Sequence, residues 1–342
     1  KHGIKLVLGY TVEGFKEKDN GVEVLLKDNP SLQADMVVLA IGVTPDTALA
    51  KEAGLELGIK GSIVVNDRME TSVPDIYAAG DAVQVKHYVT GDDALISLAG
   101  PANKQGRIIA DNICGGDSHY LGSQGSSVIK VFDMTAATTG INETNAKKSG
   151  LEVDTVILSP MSHAGYYPGG KVMTMKVVFE KETYRLLGAQ IIGYEGVDKR
   201  IDVLATAIHA GLKATQLKDL DLAYAPPYSS AKDPVNMAGF MIDNIAKGTL
   251  KQWHLEDMDK ISRDKSVVLL DVRTVGEFNR GHMDGFKNIP VDELRERINE
   301  IEKGKPVYLI CQSGLRSYIA SRILEGNGYE TYNFSGGFRF YD

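Results

Sequence analysis

One cysteine of this chain stands where a thiol could act as a nucleophile. Val307-Tyr308-Leu309-Ile310 reads as a buried strand, Cys311-Gln312-Ser313-Gly314-Leu315-Arg316 follows it directly, and a helix is predicted over 316–326. A strand, a short loop and a helix gather several backbone N–H groups around one point, and the helix start adds partial positive charge there. A thiol at that point is favoured as the thiolate, the form that attacks sulfur. Gly314 permits a tight backbone path, and Arg316 brings a fixed positive charge for an anionic donor or a persulfide. Taken alone, a cysteine before a helix is as readily a small apolar side chain closing a core strand. Its surroundings decide between the two.

The elements that must position this loop have an α/β grammar. Val267–Leu270 reads as a second buried strand and Val291–Ile301 as an amphipathic helix. Upstream, 248–257 is polar with weak periodicity and reads as a domain junction. Before it, Asp233-Pro234 is a good helix start, Asp as N-cap and Pro in the first helical position, for a helix reaching Lys247. Ile201, Leu204, Ala205, Ile208 and Leu212 keep the helical i, i+3, i+4, i+7 spacing. Val128–Phe132, Val153–Leu158, Val172–Phe179 and Gly188–Gly193 read as strands, and 101–113 as a helix. Ile4–Leu8, Val22–Leu26 and Met36–Ile41 are β-favouring runs broken by Gly14, Asn20-Gly21 and Asn29-Pro30. The expected organisation is three regions, 1–124, 125–250 and 256–342.

A length of 342 residues suits two or three domains, and 43% hydrophobic with 24% charged residues is an ordinary globular balance. The net charge of −7 supplies no basic footprint for nucleic acid. Two cysteines make no disulfide framework and fit a reducing, cytoplasmic setting. No apolar run reaches the roughly 18 residues of a membrane span, and Lys1-His2-Gly3 does not open a signal peptide. No metal site is expected. A chain opening this way, without Met, reads as a piece of something longer.

Leu270-Asp271-Val272-Arg273, Glu277-Phe278, Gly281-His282-Met283-Asp284-Gly285 and Asn288-Ile289-Pro290, together with the cysteine loop, resemble the single-domain rhodanese pattern in order and spacing. The resemblance implies an α/β rhodanese domain in which Cys311 is the nucleophile, Gln312, Ser313, Gly314 and Leu315 line the substrate loop, and Arg316 assists. In that family a six-residue loop suits sulfur, whereas a loop one residue longer suits phosphate in related phosphatases. Asp271, Arg273 and His282 are expected to form a buried polar network beneath the loop.

A second resemblance covers the rest of the chain. Thr71-Ser72-Val73-Pro74-Asp75-Ile76-Tyr77-Ala78-Ala79-Gly80-Asp81 is similar to the flavin-contacting motif of the pyridine nucleotide–disulfide oxidoreductases. It implies FAD contacts from Gly80 and Asp81, the latter on the ribityl chain. Leu39-Ala40-Ile41-Gly42-Val43-Thr44-Pro45 resembles the return from the NAD(P)H-binding part, with Gly42 near the nicotinamide nucleotide. Pro101, Ala102 and Asn103 begin a helix that in the family lies against the flavin. Residues from Gly125 to about Lys247 resemble the α+β dimerisation domain, which implies a homodimer. Within it, Tyr224-Ala225-Pro226-Pro227-Tyr228-Ser229-Ser230 looks like the version in coenzyme A disulfide reductases and NADH-dependent persulfide reductases. There a tyrosine hydroxyl replaces a histidine as proton donor to a leaving thiolate. Tyr224 and Tyr166 are the preferred pair, with Tyr228 next; His163 and His209 read as structural and Cys114 as inert.

No Gly-x-Gly-x-x-Gly turn occurs, so the Rossmann-like region is partial, and neither cysteine suits the flavin-proximal position. The resemblance implies a longer FAD- and NAD(P)H-dependent reductase of coenzyme A persulfide, coenzyme A disulfide or polysulfide fused to a rhodanese. Its partners are a sulfane-sulfur donor and the coenzyme A thiol. Two rivals stand beside this reading: an NADH oxidase with a passenger rhodanese, and a sulfurtransferase or sulfur carrier alone.

Overall fold

The computed structural model describes residues 3–341 and forms two compact units, one reaching to Asp46 and one starting at Thr47. In the first unit, β1 (Val12–Lys18), β2 (Gly21–Leu26) and β3 (Asn29–Ala34) make an antiparallel meander. Gly21 makes the first turn because its backbone lies at φ +124, and a Cβ there would sit 2.4 Å from the Ala34 carbonyl oxygen. The second turn is at Lys27-Asp28, Asp28 having φ +55, so Asn29-Pro30 opens a strand rather than breaking one. Pro30 is tolerated because β3 is an edge strand. The runs Ile4–Leu8 and Met36–Ile41 are not strands, and all their large apolar side chains but Val7 and Val37 are exposed. β-propensity without a ladder partner makes no strand.

The second unit begins with α1 (Ala48–Glu52), β4 (Ile63–Val64), β5 (Val83–Lys86), β6 (Asp93–Ala94) and α2 (Ala99–Ile113), the strands forming one small sheet around Met69, Val83 and Val85. Next come β7 (Ser127–Val131), β8 (Met134–Gly140), α3 (Glu143–Lys148), β9 (Val153–Leu158), β10 (Thr174–Glu180), β11 (Leu186–Gly193), α4 (Val197–His209) and α5 (Pro234–Ala246). These strands make an antiparallel sheet in the order β7-β8-β11-β10-β9, and α4 and α5 complete its core. β8, a run of Thr and Ala with little apolar contrast, is called a strand only by its two ladders. Asp233 caps α5 as expected, its carboxylate accepting from the Val235 N–H at 3.0 Å.

The last part contains β12 (Gln252–Trp253), α6 (Met258–Ile261), β13 (Val268–Asp271), α7 (Val275–Arg280), β14 (Lys287–Asn288), β15 (Val307–Ile310), α8 (Leu315–Glu325), β16 (Thr331–Phe334) and α9 (Phe338–Tyr341). Its five strands are parallel in the order β12-β16-β15-β13-β14. β12 lies inside the polar stretch read as a junction. It delivers Trp253, 2% exposed, to an aromatic cluster with Phe286, Tyr308 and Phe334. The amphipathic segment 291–301 is not an α-helix. Its bonds run mostly from residue i to i−3, Leu294 to Val291 and Ile301 to Ile298 among them, so it winds as turns that still bury Leu294 and Ile301. Among the described residues no helix is long and apolar enough to cross a membrane. The α/β and α+β multidomain reading stands.

Candidate active site

Cys311 is the first residue after the central strand β15, at the carboxyl end of a parallel sheet, where open α/β folds collect their functional loops. The residue is 1% exposed. Its Sγ accepts two hydrogen bonds at 3.1 Å, one from the Gly314 N–H and one from the Ser317 hydroxyl. Gly314, the residue before α8, adopts φ +96, the left-handed region that turns its N–H back toward the sulfur. The predicted strand–loop–helix arrangement is therefore present, with two donors aimed at the sulfur, where they would stabilise negative charge.

Three further segments hold the loop in place. The carbonyls of Cys311 and Gln312 accept from the N–H groups of Phe338 and Arg339 at 2.8 and 3.1 Å. That approach requires glycine at 337: its φ is +70, and a Cβ would lie 2.5 Å from the Ser313 nitrogen. From below, Asp271 and Arg273, both buried, form a bidentate pair. The Arg273 guanidinium also stacks 3.8 Å from the centre of the Phe338 ring and reaches the Gln312 side-chain oxygen at 3.5 Å. His282 is not part of this network. It is exposed and stacked on Phe278, with Nδ1 beside the Phe278 carbonyl, because α7 ends at Arg280 and turns the histidine outward.

Arg316 is less free than the sequence implies. Its two Nη atoms donate to the two oxygens of Glu277 at 2.7 Å each, and Glu277 also accepts from the backbone and hydroxyl of Thr274 at the start of α7. The guanidinium holds the Glu277 carboxyl down at about 2. Leu315, the loop residue beside it, is exposed. Ser317 and Glu277 escaped the sequence reading as functional residues. Ser317's only signal was its place in the first turn of α8, and Glu277's partner lies 39 residues away.

A second site lies in the 125–250 region. Tyr166 and Tyr224, 58 residues apart, share a hydrogen bond of 2.7 Å between their hydroxyls, which raises Tyr224 above the ordinary tyrosine value. Tyr224 and exposed Tyr228 line an open cleft of roughly 520 Å³ together with His163, Lys199 and Arg200, and Tyr166 is joined to it through that hydrogen bond. The sequence reading missed what holds these segments together. Arg200, 1% exposed, bonds Asp233 (3% exposed) at 2.9 Å, the Ser162 and Tyr228 carbonyls at 3.0 and 3.3 Å, and the Ser229 hydroxyl at 3.1 Å. Asp233 is buried, yet its carboxyl sits below the usual range because Ser229, Val235 and Arg200 all donate to it. One guanidinium thus ties together the loops carrying Tyr166, Tyr224 and Tyr228. His163 is buried and edge-on to Tyr167, His209 stacks on Tyr88, and Cys114 is exposed.

The flavin-motif residues fall within the second unit. Gly80 (φ +84) has its N–H held by the side-chain oxygen of buried Gln105 on α2 at 2.7 Å, leaving Asp81 exposed. Pro101, Ala102 and Asn103 lie in the first turn of α2 and just after it; the helix start carries no side-chain cap. A Cβ at Gly80 or Gly100 would meet open space. Gly42, in the first unit, is exposed at φ +95.

Comparison with known proteins assigns these parts. The family model for the pyridine nucleotide-disulphide oxidoreductase matches residues 1–106, that for its dimerisation domain 126–234, and that for a rhodanese-like domain 254–341. The reduced Bacillus anthracis CoADR-RHD structure is 47% identical, covering 97% of this chain and 59% of its own, with a TM-score of 0.93. An NAD-dependent persulfide reductase from A. fulgidus is 40% identical over 97% of this chain and 61% of its own, with a TM-score of 0.88. An NAD(P)H sulfur oxidoreductase (CoA-dependent) from Pyrococcus abyssi is 38% identical over 69% of this chain and 52% of its own length. The chain spans about half the length of the curated relatives it matches. It belongs to the pyridine nucleotide-disulphide oxidoreductase family, in the form that carries a rhodanese-like domain after the dimerisation domain.

Proposed function

We propose that Cys311 carries sulfane sulfur as a persulfide, and that this transfer serves a flavin- and NAD(P)H-dependent reductase of coenzyme A persulfide, coenzyme A disulfide or polysulfide. The observation that carries the reading is the pair of donors, Gly314 N–H and Ser317 hydroxyl, converging on Sγ at 3.1 Å. With thiosulfate as donor, the thiolate forms a bond to the outer sulfur as the S–S bond breaks, and sulfite leaves with the electron pair. An acceptor such as cyanide then takes the outer sulfur as thiocyanate and returns the thiolate. The loop's backbone donors and Gln312, Ser313 and Leu315 line the approach, and Arg316, clamped by Glu277, fixes the loop's far end.

The residues near α2 fit a flavin. Asp81 offers an exposed carboxylate for a sugar-alcohol hydroxyl, the Gly80 backbone leaves room for close approach, and the uncapped start of α2 at Pro101, Ala102 and Asn103 favours negative charge. A bound flavin supplies the two electrons that open an S–S bond. Gly42 offers its backbone to the nicotinamide nucleotide. Tyr224, hydrogen-bonded to Tyr166, gives a proton to a departing coenzyme A thiolate. In the same reading the protein works as a homodimer, which the exposed apolar residues Val128, Ile129 and Val131 on β7, an edge strand, support. Having a rhodanese-like domain favours persulfide over plain disulfide as the substrate.

The chain itself tests the first half: it should move sulfur from thiosulfate to cyanide, and Cys311→Ser should abolish this; undiminished transfer in that variant would overturn the reading. For a full-length protein, reoxidation of the reduced flavin should be faster with coenzyme A persulfide than with oxygen in stopped-flow mixing. The opposite order would make it an NADH oxidase, and no absorbance band from FAD would leave a sulfur carrier alone.

A further inference from the structure

The Gly314 carbonyl is surrounded by three donors: the Tyr318 N–H at 3.1 Å, the Asn333 side-chain amide at 3.2 Å and the Ser317 hydroxyl at 3.1 Å. A carbonyl oxygen has two lone pairs, and a serine hydroxyl has one proton to give. That proton has two acceptors in reach, the Gly314 carbonyl and the Cys311 sulfur, at the same distance. The Tyr318 N–H belongs to the first turn of α8 and is there whenever the helix is. The remaining lone pair is contested between Asn333 and Ser317, so Asn333 decides where the serine proton goes. Asn333 lies on β16, beside β15, outside the six-residue loop. It is 3% exposed, its amide also bridges to the loop from a neighbouring strand, and its side-chain oxygen has no partner among the described residues. A buried amide with its acceptor end idle is held in place by what its donor end does.

We propose that Asn333 is a positioning residue for sulfur transfer: by occupying the Gly314 carbonyl it leaves the Ser317 proton to the sulfur of Cys311. This rests on the persulfide reading above. When the thiolate attacks and sulfite leaves, negative charge moves between Sγ and the outer sulfur, and a hydroxyl committed to the carbonyl gives that charge nothing. Without the Asn333 amide, Ser317 satisfies the buried carbonyl instead, since a buried acceptor left bare is costly.

The test is a double-mutant cycle on the chain as it stands, read as kcat/KM for thiosulfate with cyanide as acceptor. Asn333→Leu keeps the branched shape at a larger volume and removes the amide, and the idle oxygen it also removes has nothing to lose. It should lower the constant about tenfold, as expected for one hydrogen bond to a charged group. Ser317→Ala should lower it by at least as much, and adding Asn333→Leu to Ser317→Ala should change it less than twofold, because the proton being routed is already gone. A merely structural Asn333 gives multiplying losses, and that result overturns the proposal, as does transfer within twofold of the parent in a folded Asn333→Leu chain. Asn333→Ala is taken through the same cycle should the leucine not fit. Failure of both to fold also overturns it, since Asn333 would then belong to the fold rather than the loop. The outcome is separable from the reading it rests on: transfer surviving Cys311→Ser removes that reading, whereas the cycle is scored only where Cys311→Ser is inactive.

Discussion

Replacing Glu277 by glutamine isolates one charged contact of the loop that carries Cys311. The carboxylate bonds both Nη atoms of Arg316 and the start of α7, and its pKa falls from 4.5 to about 2. A drop of that size corresponds to roughly 3 kcal/mol of preference for the ionised, folded state. The two side chains stay 21% and 30% exposed, so solvent screening reduces the net contribution to about 1–2 kcal/mol. Because the folded value lies below the unfolded one, this stability is present above 4.5 and is lost as pH falls through about 2. Integrating between these values leaves about three quarters of it at pH 4 and about two fifths at pH 3. Trp253, the chain's single tryptophan, is buried in the rhodanese core and reports that part of the molecule by fluorescence. Urea unfolding should therefore show Glu277→Gln about 1–2 kcal/mol less stable at pH 7, with the gap more than halved at pH 3. A gap that does not narrow with acid, or none at pH 7, would refute the argument.

Two other substitutions probe the remaining supports. Gly337→Ala places a side chain in left-handed backbone and 2.5 Å from the Ser313 nitrogen, so it should cost about 2–4 kcal/mol by the same fluorescence measurement and cut sulfur transfer at least tenfold. Full activity in that variant would mean the loop does not lean on this turn. Arg200→Met leaves Asp233 buried without its cation and should destabilise by about 3–5 kcal/mol in thermal unfolding, while adding Asp233→Asn should recover a large part of that loss. A double variant weaker than the single would contradict the buried-pair account.

How much was legible before the structure follows from the range of each interaction. The cysteine loop is local: strand, loop, Gly314 and helix are neighbours in the chain, and their spacing alone places several donors around Cys311. The cap at Asp233 and the apolar stripe of α4 are local too. The pairing of Tyr166 with Tyr224 came from a resemblance and not from spacing, and the structure supplies its reason in the Arg200 network. Where local signals misled, the missing piece was a partner. Ile4–Leu8 and Met36–Ile41 have strand composition without a ladder, and 291–301 has helical periodicity but i to i−3 turns.

The amino-acid sequence by itself determined which cysteine stands between strand and helix, which family motifs the chain carries and which side chains face the cores, since these depend on residue type and on spacing within a few turns. Tertiary structure alone decided how the loop is held. Glu277 clamps Arg316 from another helix, Gly337 lets a distant backbone reach the loop carbonyls, and Asn333 meets Gly314 from the next strand. Hydrogen-bond partners tens of residues apart are set by the order of parallel strands, and strand order leaves no mark in the periodicity of any one segment.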